Sequence, residues 1–386
     1  MKFYYKCIKC LKSYPFSKDL LTCPDHSPYF GYLTVMYETD SVTFTDGHFD
    51  TSWQRYQDLL PIDSFPINFN EQKTPLVTAE KLGEKYGFNN LYIKDESKNP
   101  SGSFKDKESS MVVNMATSLG LDDIFTVSSG NAAVSTSAYA QKSGITCTCL
   151  VSKKLSVGKR FLISLYGGNI QEIDGNYEKI YRHAIDSHYP GWNVTPGINP
   201  LKDEGIKIIG FEIFDEIGVP DVIVVPSGNG TLLYGIYKAF EELKHFGFID
   251  KLPQMIGVQV KGASPLKKSF MEGKDFVTLT DVPDSLAEGI IAEESYSSPK
   301  VMFALSETAG TIVEVTDKEI VQALKLCMSL ESLIPEPTSA AVYAALPKLS
   351  LPKDKKIVLV QTAGGMKNLK EIMQHIISFS SKGDES

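Results

Sequence analysis

The sequence predicts an α/β fold with mostly parallel sheets, and three observations support this fold class. From about residue 85 onward, short apolar runs alternate with helical patterns, as expected for repeated strand–helix units. Eight of these runs are typical of buried strands, from NLYIKD to IVLVQTAGG. Several of them end directly in glycine, serine or asparagine, and open α/β sheets bind their ligands outside the carboxyl ends of strands.

Length and charge narrow the possible function classes. The 386 residues are enough for two or three domains, and 42% hydrophobic with 22% charged residues is ordinary for a globular protein. A net charge of -8 and the lack of a basic stripe argue against a nucleic acid partner. No apolar run approaches the roughly 18 residues that a membrane span needs, and the N-terminus MKFYYKCIKC has no apolar signal core. We therefore expect a cytoplasmic protein that binds neither nucleic acid nor a membrane.

Residues 1–38 are predicted to form a separate, zinc-ribbon-like module. Cys7 and Cys10 form a C-x2-C pair, and after twelve further residues Cys23 and His26 form a C-x2-H pair. Three thiols and one imidazole at this spacing match the ligand set of a structural zinc site. The alternative is a cysteine-bearing remnant that no longer binds metal. The other three cysteines lie in apolar runs and are expected to be small buried residues.

The strand-to-helix turn after VIVVP is the first candidate ligand site. Glycines let a ligand approach the backbone closely, and successive amide groups at a helix start bind phosphate. The turn is not a Walker loop, because no G-K-[ST] follows, and Leu233 occupies the third glycine position of a G-x-G-x-x-G motif. It is therefore a candidate phosphate cradle, or else only a tight bend. Its residues are Ser227, Gly228, Asn229, Gly230 and Thr231.

Two further strand ends carry polar groups. The strand IFTV leads into Ser128, Ser129 and Asn131, where two hydroxyls and free amides at a helix start suit a carboxylate. The alternative for this turn is an ordinary helix N-cap. The strand IVLVQ delivers Thr362, which is followed by glycines that otherwise only permit the bend. Three strand ends thus offer a phosphate cradle, a carboxylate cradle and a hydroxyl.

A lysine pair lies at the start of another predicted helix. The stretch NPSGSFKDKESS predicts a helix that begins at Ser103 and carries Lys105 and Lys107 in its first turn. The amino end of a helix already holds partial positive charge, so lysines there are mildly unfavourable. Either the pair is solvated surface, or one member is a reactive amine that faces the three strand ends.

Nine motifs follow one another along nearly the whole chain: TPL, LYIKDESKNPSGSFKD, SSGNAA, SVGKR, GGNIQEIDGNY, INPLKDEG, QMIGVQVKGASPL, EPTSAA and QTAGGMKN. In content and order they resemble the fold-type II pyridoxal phosphate (PLP) enzymes and, within them, threonine synthase. The resemblance implies a two-domain fold like that of the tryptophan synthase β subunit. A large PLP-binding domain would comprise residues 39–104 and 206–386, and a small α/β domain residues 105–205. A short N-terminal cysteine module also occurs in some members.

The resemblance assigns cofactor roles to individual residues. Lys105 is similar to the lysine that bonds covalently to PLP and later moves protons between substrate carbons. Asn131 matches the asparagine that hydrogen-bonds the cofactor's ring oxygen, and residues 227–231 match the phosphate loop. Thr362 matches the residue that faces the pyridine nitrogen. A hydroxyl there does not require a protonated nitrogen, which favours elimination and replacement over transamination.

The substrate side departs from threonine synthase. Ala132 replaces a threonine whose hydroxyl contacts the substrate in that family. The segment PGINPLK places Pro196, Gly197 and Lys202 where the family presents asparagine, serine and arginine to the substrate phosphate. A lysine is a point charge and does not replace the fork of an arginine. The candidate substrate-binding residues are Ser128, Ser129, Lys107, Arg160 and Lys202.

The resemblance implies a PLP-dependent lyase that converts O-phosphohomoserine, an amino-acid substrate, to threonine and phosphate. The altered substrate side and the dehydratase-like segment LAEGI keep open a β-replacement or β-elimination enzyme, related to cysteate synthase or to serine and threonine dehydratases. A non-catalytic binding protein with a degenerate fold is the alternative from another class, and the retained cofactor residues oppose it. Because similar enzymes are commonly dimers, we expect a homodimer.

Overall fold

A computed structural model of the chain describes residues 3–39, 41–42, 51–153, 155, 157–370, 372–374 and 376. Within these segments thirteen strands form three sheets. The strands are β1 Phe3–Cys7, β2 Ser13–Pro15, β3 Leu33–Tyr37, β4 Leu76–Thr78, β5 Asn90–Asp95, β6 Asp123–Val127, β7 Thr146–Ser152, β8 Asn169–Ile173, β9 Trp192–Asn193, β10 Val222–Pro226, β11 Gln254–Val260, β12 Thr311–Val315 and β13 Lys356–Gln361. The helices are α1 Ser52–Arg55, α2 Glu80–Tyr86, α3 Lys105–Ser118, α4 Asn131–Ser143, α5 Val157–Leu165, α6 Tyr177–Asp186, α7 Leu201–Ile217, α8 Thr231–His245, α9 Pro265–Glu272, α10 Ser298–Glu307, α11 Asp317–Leu326 and α12 Pro337–Ala345.

The first sheet belongs to the N-terminal segment and is antiparallel, in the order β2-β1-β3. The turn that precedes β3 packs against the rest of the chain. Gly31 donates its backbone N–H to the carbonyl oxygen of Tyr296 at 2.8 Å, and the ring of Phe30 stacks on Phe276 with centroids 3.9 Å apart. The segment is thereby joined to the loop that precedes α10.

The largest sheet has six strands in the order β12-β11-β10-β13-β5-β4. Its pairs are parallel, except that the edge strand β4 runs antiparallel to β5. The central strand β10 is buried along its whole length, as a parallel strand covered on both faces must be. The second parallel sheet has four strands in the order β8-β7-β6-β9. All eight strands predicted from apolar runs are confirmed.

Four helices, α3, α4, α7 and α8, pack against one another in a row. The long helix α7 is buried along most of its length and packs against both α8 and α3, while α3 also packs against α4. The cofactor-side turns lie at the carboxyl ends of β6, β10 and β13, which come from both parallel sheets. No helix among the described residues is long and apolar enough to cross a membrane.

Helix α3 begins later than predicted, at Lys105 instead of Ser103. Ser103 is held in a bridge with Ala363, and Phe104 donates its backbone N–H to the carbonyl oxygen of Thr362 at 2.9 Å. These pairings keep the loop extended against the end of β13 until the helix can start. The first helical residue is therefore placed directly beside the strand end that carries Thr362.

Candidate active site

A cavity of about 350 Å³ lies where the carboxyl ends of β6, β10 and β13 meet the amino ends of three helices. This position is the ligand site expected for open α/β sheets, and the volume suits a cofactor-sized molecule. Nine of the residues predicted from sequence line it. They are Lys105, Ser128, Ser129, Asn131, Gly228, Asn229, Gly230, Thr231 and Thr362.

Lys105 is the first residue of α3, and its side chain is 18% exposed, toward the cavity. Its Nζ donates to Oε1 of Glu108 at 2.7 Å and lies 4.4 Å from the centroid of the Phe104 ring. Residues three apart on a helix share a face, which explains the pairing with Glu108. The amine is thus held at the cavity wall by a fully buried carboxylate.

The turn after β10 has the construction of an anion cradle. Gly230 has φ +90°, and a Cβ there would lie 2.4 Å from Cγ2 of Val301; at Gly228 it would lie 2.6 Å from the carbonyl oxygen of Gly289. Among the described residues, none accepts a hydrogen bond from the amides of Gly228, Asn229 or Gly230. These amides start helix α8, where the helix dipole also favours an anion. Both glycines and the unpaired amides fit the phosphate of PLP.

The neighbouring carbonyls and side chains fix this turn. The hydroxyl of Ser295 donates to the carbonyl oxygen of Gly228 at 2.6 Å, and the backbone N–H of Ser297 donates to that of Asn229 at 2.9 Å. The side-chain amide of Asn229 donates to the hydroxyl oxygen of Tyr177 at 3.1 Å. The carbonyl oxygens of Gly228 and Asn229 thus accept hydrogen bonds from the segment that precedes α10. They are not needed as acceptors for the amides of the turn.

Asn131 and Thr362 lie at the other end of the cavity. The Nδ2 of Asn131 donates to Glu336 Oε2 at 2.9 Å, and its Oδ1 accepts a hydrogen bond from Lys367 Nζ at 2.8 Å. The hydroxyls of Thr362 and Ser339 lie 2.7 Å apart. Burial raises the pKa of Glu336 and lowers the pKa of Lys367. This part of the cavity wall therefore carries the uncharged hydroxyl pair of Thr362 and Ser339. Beside it lies the amide of Asn131, whose orientation is set by Glu336 and Lys367.

The turn after β6 forms the second cradle. Helix α4 begins at Asn131, and the backbone N–H of Gly130 donates to the hydroxyl oxygen of Ser128 at 3.3 Å. Within the described part of the chain, the amide of Ser129 has no acceptor. Ala132 also lines the cavity, and its methyl group offers no hydrogen bond there. The turn can accommodate a carboxylate, but Ala132 lacks the threonine hydroxyl that the family resemblance predicts at this position.

The structure places Lys107 away from the cavity, in contrast to its predicted contact with substrate. Two residues after Lys105, it points elsewhere on the helix and donates to Glu212 Oε1 at 2.7 Å. Lys94 donates to the other oxygen of Glu212, also at 2.7 Å. All three side chains are buried. Against the effect of burial, the two ammonium groups lower the pKa of Glu212 to about 2, so this trio is a structural ion cluster.

Three other predicted residues also lie outside the cavity lining. Arg160 is partly exposed and pairs with Glu172, so its guanidinium is directed away from the cavity lining. Lys202 is fully buried, with its Nζ 3.5 Å from Oε2 of Glu108, and does not line the cavity. Ser227 is buried and turns its hydroxyl back to the carbonyl oxygen of Val225 at 3.1 Å.

Several cavity residues escaped the sequence reasoning. Lys159 on α5 pairs with Glu288, which lies in the short 3-10 turn Glu288–Ile290 of the LAEGI segment. Glu336 immediately precedes α12, and Lys367 follows β13. Glu336 and Lys367 belong to the quoted motifs EPTSAA and QTAGGMKN, so polar residues beside a strand end or helix start were the available signal. All four line the cavity.

The cysteines and histidine of the N-terminal segment converge at a separate place. The candidate ligand atoms of Cys7, Cys10, Cys23 and His26 all lie within 4.8 Å of one another. The sulfurs of Cys10 and Cys23 are 3.7 Å apart, close to the roughly 3.8 Å that tetrahedral zinc with Zn–S bonds of about 2.3 Å requires. The Nε2 of His26 is buried, with no hydrogen-bond partner in the described segments. These four residues fit a zinc ion.

Comparison with known proteins shows the family to which the chain belongs. Residues 67–363 match the family described as "Pyridoxal-phosphate dependent enzyme". The chain is 33% identical over 389 residues to "Threonine synthase" of Methanosarcina acetivorans, covering 95% of this chain and 92% of that protein. It is 32% identical over 383 residues to "Threonine synthase" of Methanocaldococcus jannaschii, covering 94% and 92%.

Solved structures share the fold. The processed form of threonine deaminase isoform 2 from Solanum lycopersicum superimposes with a TM-score of 0.67 at 24% identity, covering 78% of this chain and 83% of that one. At this identity the likeness concerns the fold alone, and it is the fold of a PLP enzyme of type II. With a family match over residues 67–363 and relatives that cover most of both chains, the protein belongs to the family of pyridoxal-phosphate dependent enzymes.

Proposed function

We propose that the protein is a threonine synthase-type lyase that converts O-phosphohomoserine to threonine and phosphate with PLP bound at Lys105. The observation that carries this proposal is the convergence of Lys105, Asn131, Thr362 and the phosphate cradle at residues 228–231 on one cavity. Relatives over more than nine-tenths of the chain have the name threonine synthase. Convergence of Lys105, Asn131, Thr362 and residues 228–231 on one cavity opposes the non-catalytic alternative.

Each residue has a distinct task in this proposal. PLP, when bound, supplies the electron sink that stabilises negative charge on substrate carbons. Lys105, held at the wall by Glu108, is the amine that takes up and returns protons at those carbons. The hydroxyl of Thr362 is paired with that of Ser339 and bears no charge, which keeps the sink moderate. The amides of the cradle after β10 bind the cofactor phosphate.

The substrate has two anionic ends to place. The turn with Ser128 and Ser129 receives the carboxylate at the start of α4. For the distal phosphate, the cavity wall offers Lys159, whose ammonium is paired with the exposed Glu288 and can exchange that carboxylate for a phosphate. Lys367 is already engaged by Asn131 and the carbonyl oxygen of Ser101. We therefore infer that Lys159, and neither Arg160 nor Lys202, contacts the phosphate.

A panel of substrates tests the reaction. The purified protein is incubated with O-phosphohomoserine, and threonine and inorganic phosphate are quantified; equal amounts of both are expected. Lys159→Met should raise KM at least tenfold, as expected when a charge-assisted pair of about 1.5–3 kcal/mol is lost. Arg160→Met, one residue away and outside the cavity, is the matched control and should leave KM unchanged. The reverse pattern would reject the assignment of Lys159.

The β-elimination alternative is favoured by one specific observation. Pro196 lines the cavity where the family resemblance expects an asparagine that binds the phosphate. An apolar ring there suits a smaller substrate without a distal phosphate. Formation of pyruvate or a sulfur adduct from serine or phosphoserine, with no phosphate released from O-phosphohomoserine, would establish this alternative and contradict the threonine synthase proposal.

We further propose that Cys7, Cys10, Cys23 and His26 bind a structural zinc ion. The close approach of the ligand atoms and the orphaned Nε2 of His26 support this. Elemental analysis should give one zinc per chain, and Cys10→Ser should reduce that content while Cys147→Ala, at a distant buried strand, should not. Far less than one zinc in the unmodified protein would reject the site.

The predicted homodimer and the cytoplasmic location are also proposals. Their support is the family membership and the ordinary, acidic composition. A sedimentation experiment that gives a mass near 85 kDa, about twice the 42.6 kDa of one chain, is expected for a dimer. A mass near that of one chain would contradict it.

A further inference from the structure

A buried carboxylate, Glu108, lies between two amines. Its Oε1 accepts a hydrogen bond from Lys105 Nζ at 2.7 Å, and its Oε2 lies 3.5 Å from Lys202 Nζ. Neither Glu108 nor Lys202 has an exposed side chain. Within the described residues, that second oxygen and the Lys202 amine have no hydrogen-bond partner. Lys202 is therefore a buried amine whose nearest negative charge is already engaged by another lysine.

Two titratable side chains, Cys147 and Tyr177, face this trio. Cys147 on β7 faces Lys202, and its pKa is raised well above the usual range by its contact with Cys149 and by burial. Tyr177 on α6 faces Glu108, and burial raises the pKa of its hydroxyl. The ring of Phe104 lies beside Lys105. Burial thus disfavours the charged form of both neighbours, and the carboxylate of Glu108 lies beside both amines.

We propose that the buried Glu108–Lys202 pair is the docking site of the free Lys105 amine and sets the reactivity of that amine. Glu108 orients the amine whenever it is not bonded to the cofactor. Lys202 touches neither the cavity nor the cofactor site and acts through Glu108, so it is a positioning residue. The inference rests on the proposed role of Lys105 as the cofactor lysine.

The physical reason is charge balance in a buried site. One carboxylate neutralises one ammonium, and a second ammonium in the same low-dielectric site is strongly disfavoured. Burial lowers the pKa of Lys202 to about 8, and Glu108 only partly offsets this. The nearby charge of Lys105 also lowers the pKa of Lys202. A lysine that must be neutral to bond to a carbonyl and protonated to return a proton benefits from such an arrangement.

The reactivity of Lys105 tests this inference without any turnover. The full chain is freed of PLP with hydroxylamine, labelled briefly with acetic anhydride across a range of pH, and analysed by peptide mass spectrometry. Only a neutral amine reacts, so the midpoint of labelling reports the charge of Lys105. Glu108→Gln should lower this midpoint by about one pH unit or more, and Lys202→Met should raise it by a similar amount. Glu108→Asp should restore part of the wild-type value.

A matched control separates this effect from general damage. Lys207 is equally buried on the same helix but pairs with Glu204 and Glu242. Lys207→Met should lower the thermal stability and leave the labelling midpoint of Lys105 unchanged. Shifts of Glu108→Gln and Lys202→Met in the same direction, or no shift in either, would overturn the inference.

If Lys202→Met does not fold, the pH dependence of Lys105 labelling in the wild-type protein still tests the inference. If Lys202 controls the reactivity of Lys105, labelling of Lys105 should rise over a wider pH range than a single-proton curve, and a single-proton curve would contradict the inference. A failed O-phosphohomoserine assay would leave these labelling results untouched. Failure of the inference and failure of the proposed reaction are thus distinguishable.

Discussion

Gly230→Ala is the change whose consequences follow most directly from the structure. Gly230 precedes α8 with φ +90° and ψ -8°, a left-handed conformation that residues with a Cβ adopt at a cost of about 1–2 kcal/mol. The new Cβ would lie 2.4 Å from Cγ2 of Val301, whereas carbon atoms normally remain about 3.5–4.0 Å apart. Overpacking of this kind costs about 1–3 kcal/mol. The sum is about 2–5 kcal/mol of strain in the phosphate cradle.

We expect the loop to move, because the strain at positive φ lies in its own backbone, and this movement withdraws an amide from the cofactor phosphate. A hydrogen bond to a charged group contributes about 1.5–3 kcal/mol, which corresponds to an affinity loss of about 10- to 100-fold. The assay is titration of the PLP-free full chain with PLP, followed by the visible absorption of the bound cofactor.

The control is Gly130→Ala, at the second cradle. Gly130 has φ -113°, and a Cβ there would have no atom within 4 Å. We expect its PLP affinity to match that of the wild type. If Gly230→Ala binds PLP as tightly as Gly130→Ala, the turn after β10 is not the phosphate cradle and the reasoning is wrong.

Three further predictions concern other residues. Lys107→Met should lower the free energy of unfolding by about 3 kcal/mol or more, because buried Glu212 keeps only one of its two ammonium partners, Lys94. KM should stay unchanged. A raised KM without lost stability would return Lys107 to the substrate site. As pH falls from 4.5 toward 2, the protein should lose stability, because the folded-state pKa of Glu212 lies below its unfolded value. The Glu212→Gln variant should lack this pH-dependent loss of stability. Identical acid unfolding of the variant and the wild type would contradict the prediction. Thr362→Val should retain PLP but lose at least tenfold in kcat, since one hydroxyl at the ring end is removed; unchanged kcat would exclude this role.

The fold could be predicted because its signals are local. Each of the eight predicted strands is a short apolar run in the sequence. Each candidate ligand turn combines glycine or hydroxyl residues with the start of a helix. Gly230 illustrates this, since only glycine suits both its positive φ and its close neighbour. Such information lies within a few residues of sequence. The order of the motifs along the chain added the resemblance to the fold-type II PLP enzymes.

The direction of long side chains could not be predicted in the same way. Lys105 and Lys107 are two residues apart, and helix geometry sends them to different faces, one to the cavity and one to Glu212. Lys159 and Arg160 are adjacent, and only Lys159 reaches the cavity. The i, i+3 relation of Lys105 and Glu108 was available from sequence once the helix was placed. The approach of Lys202 to Glu108 was not, because it depends on the packing of α7 against α3.

The central claim is that Lys105 binds PLP in this cavity. The most direct measurement is reduction of the purified protein with borohydride, which fixes the bond between lysine and cofactor, followed by peptide mapping. The cofactor mass is expected on Lys105 alone, and Lys105→Ala should carry none. Cofactor mass on Lys107, Lys159 or Lys367 in place of Lys105 would contradict the account.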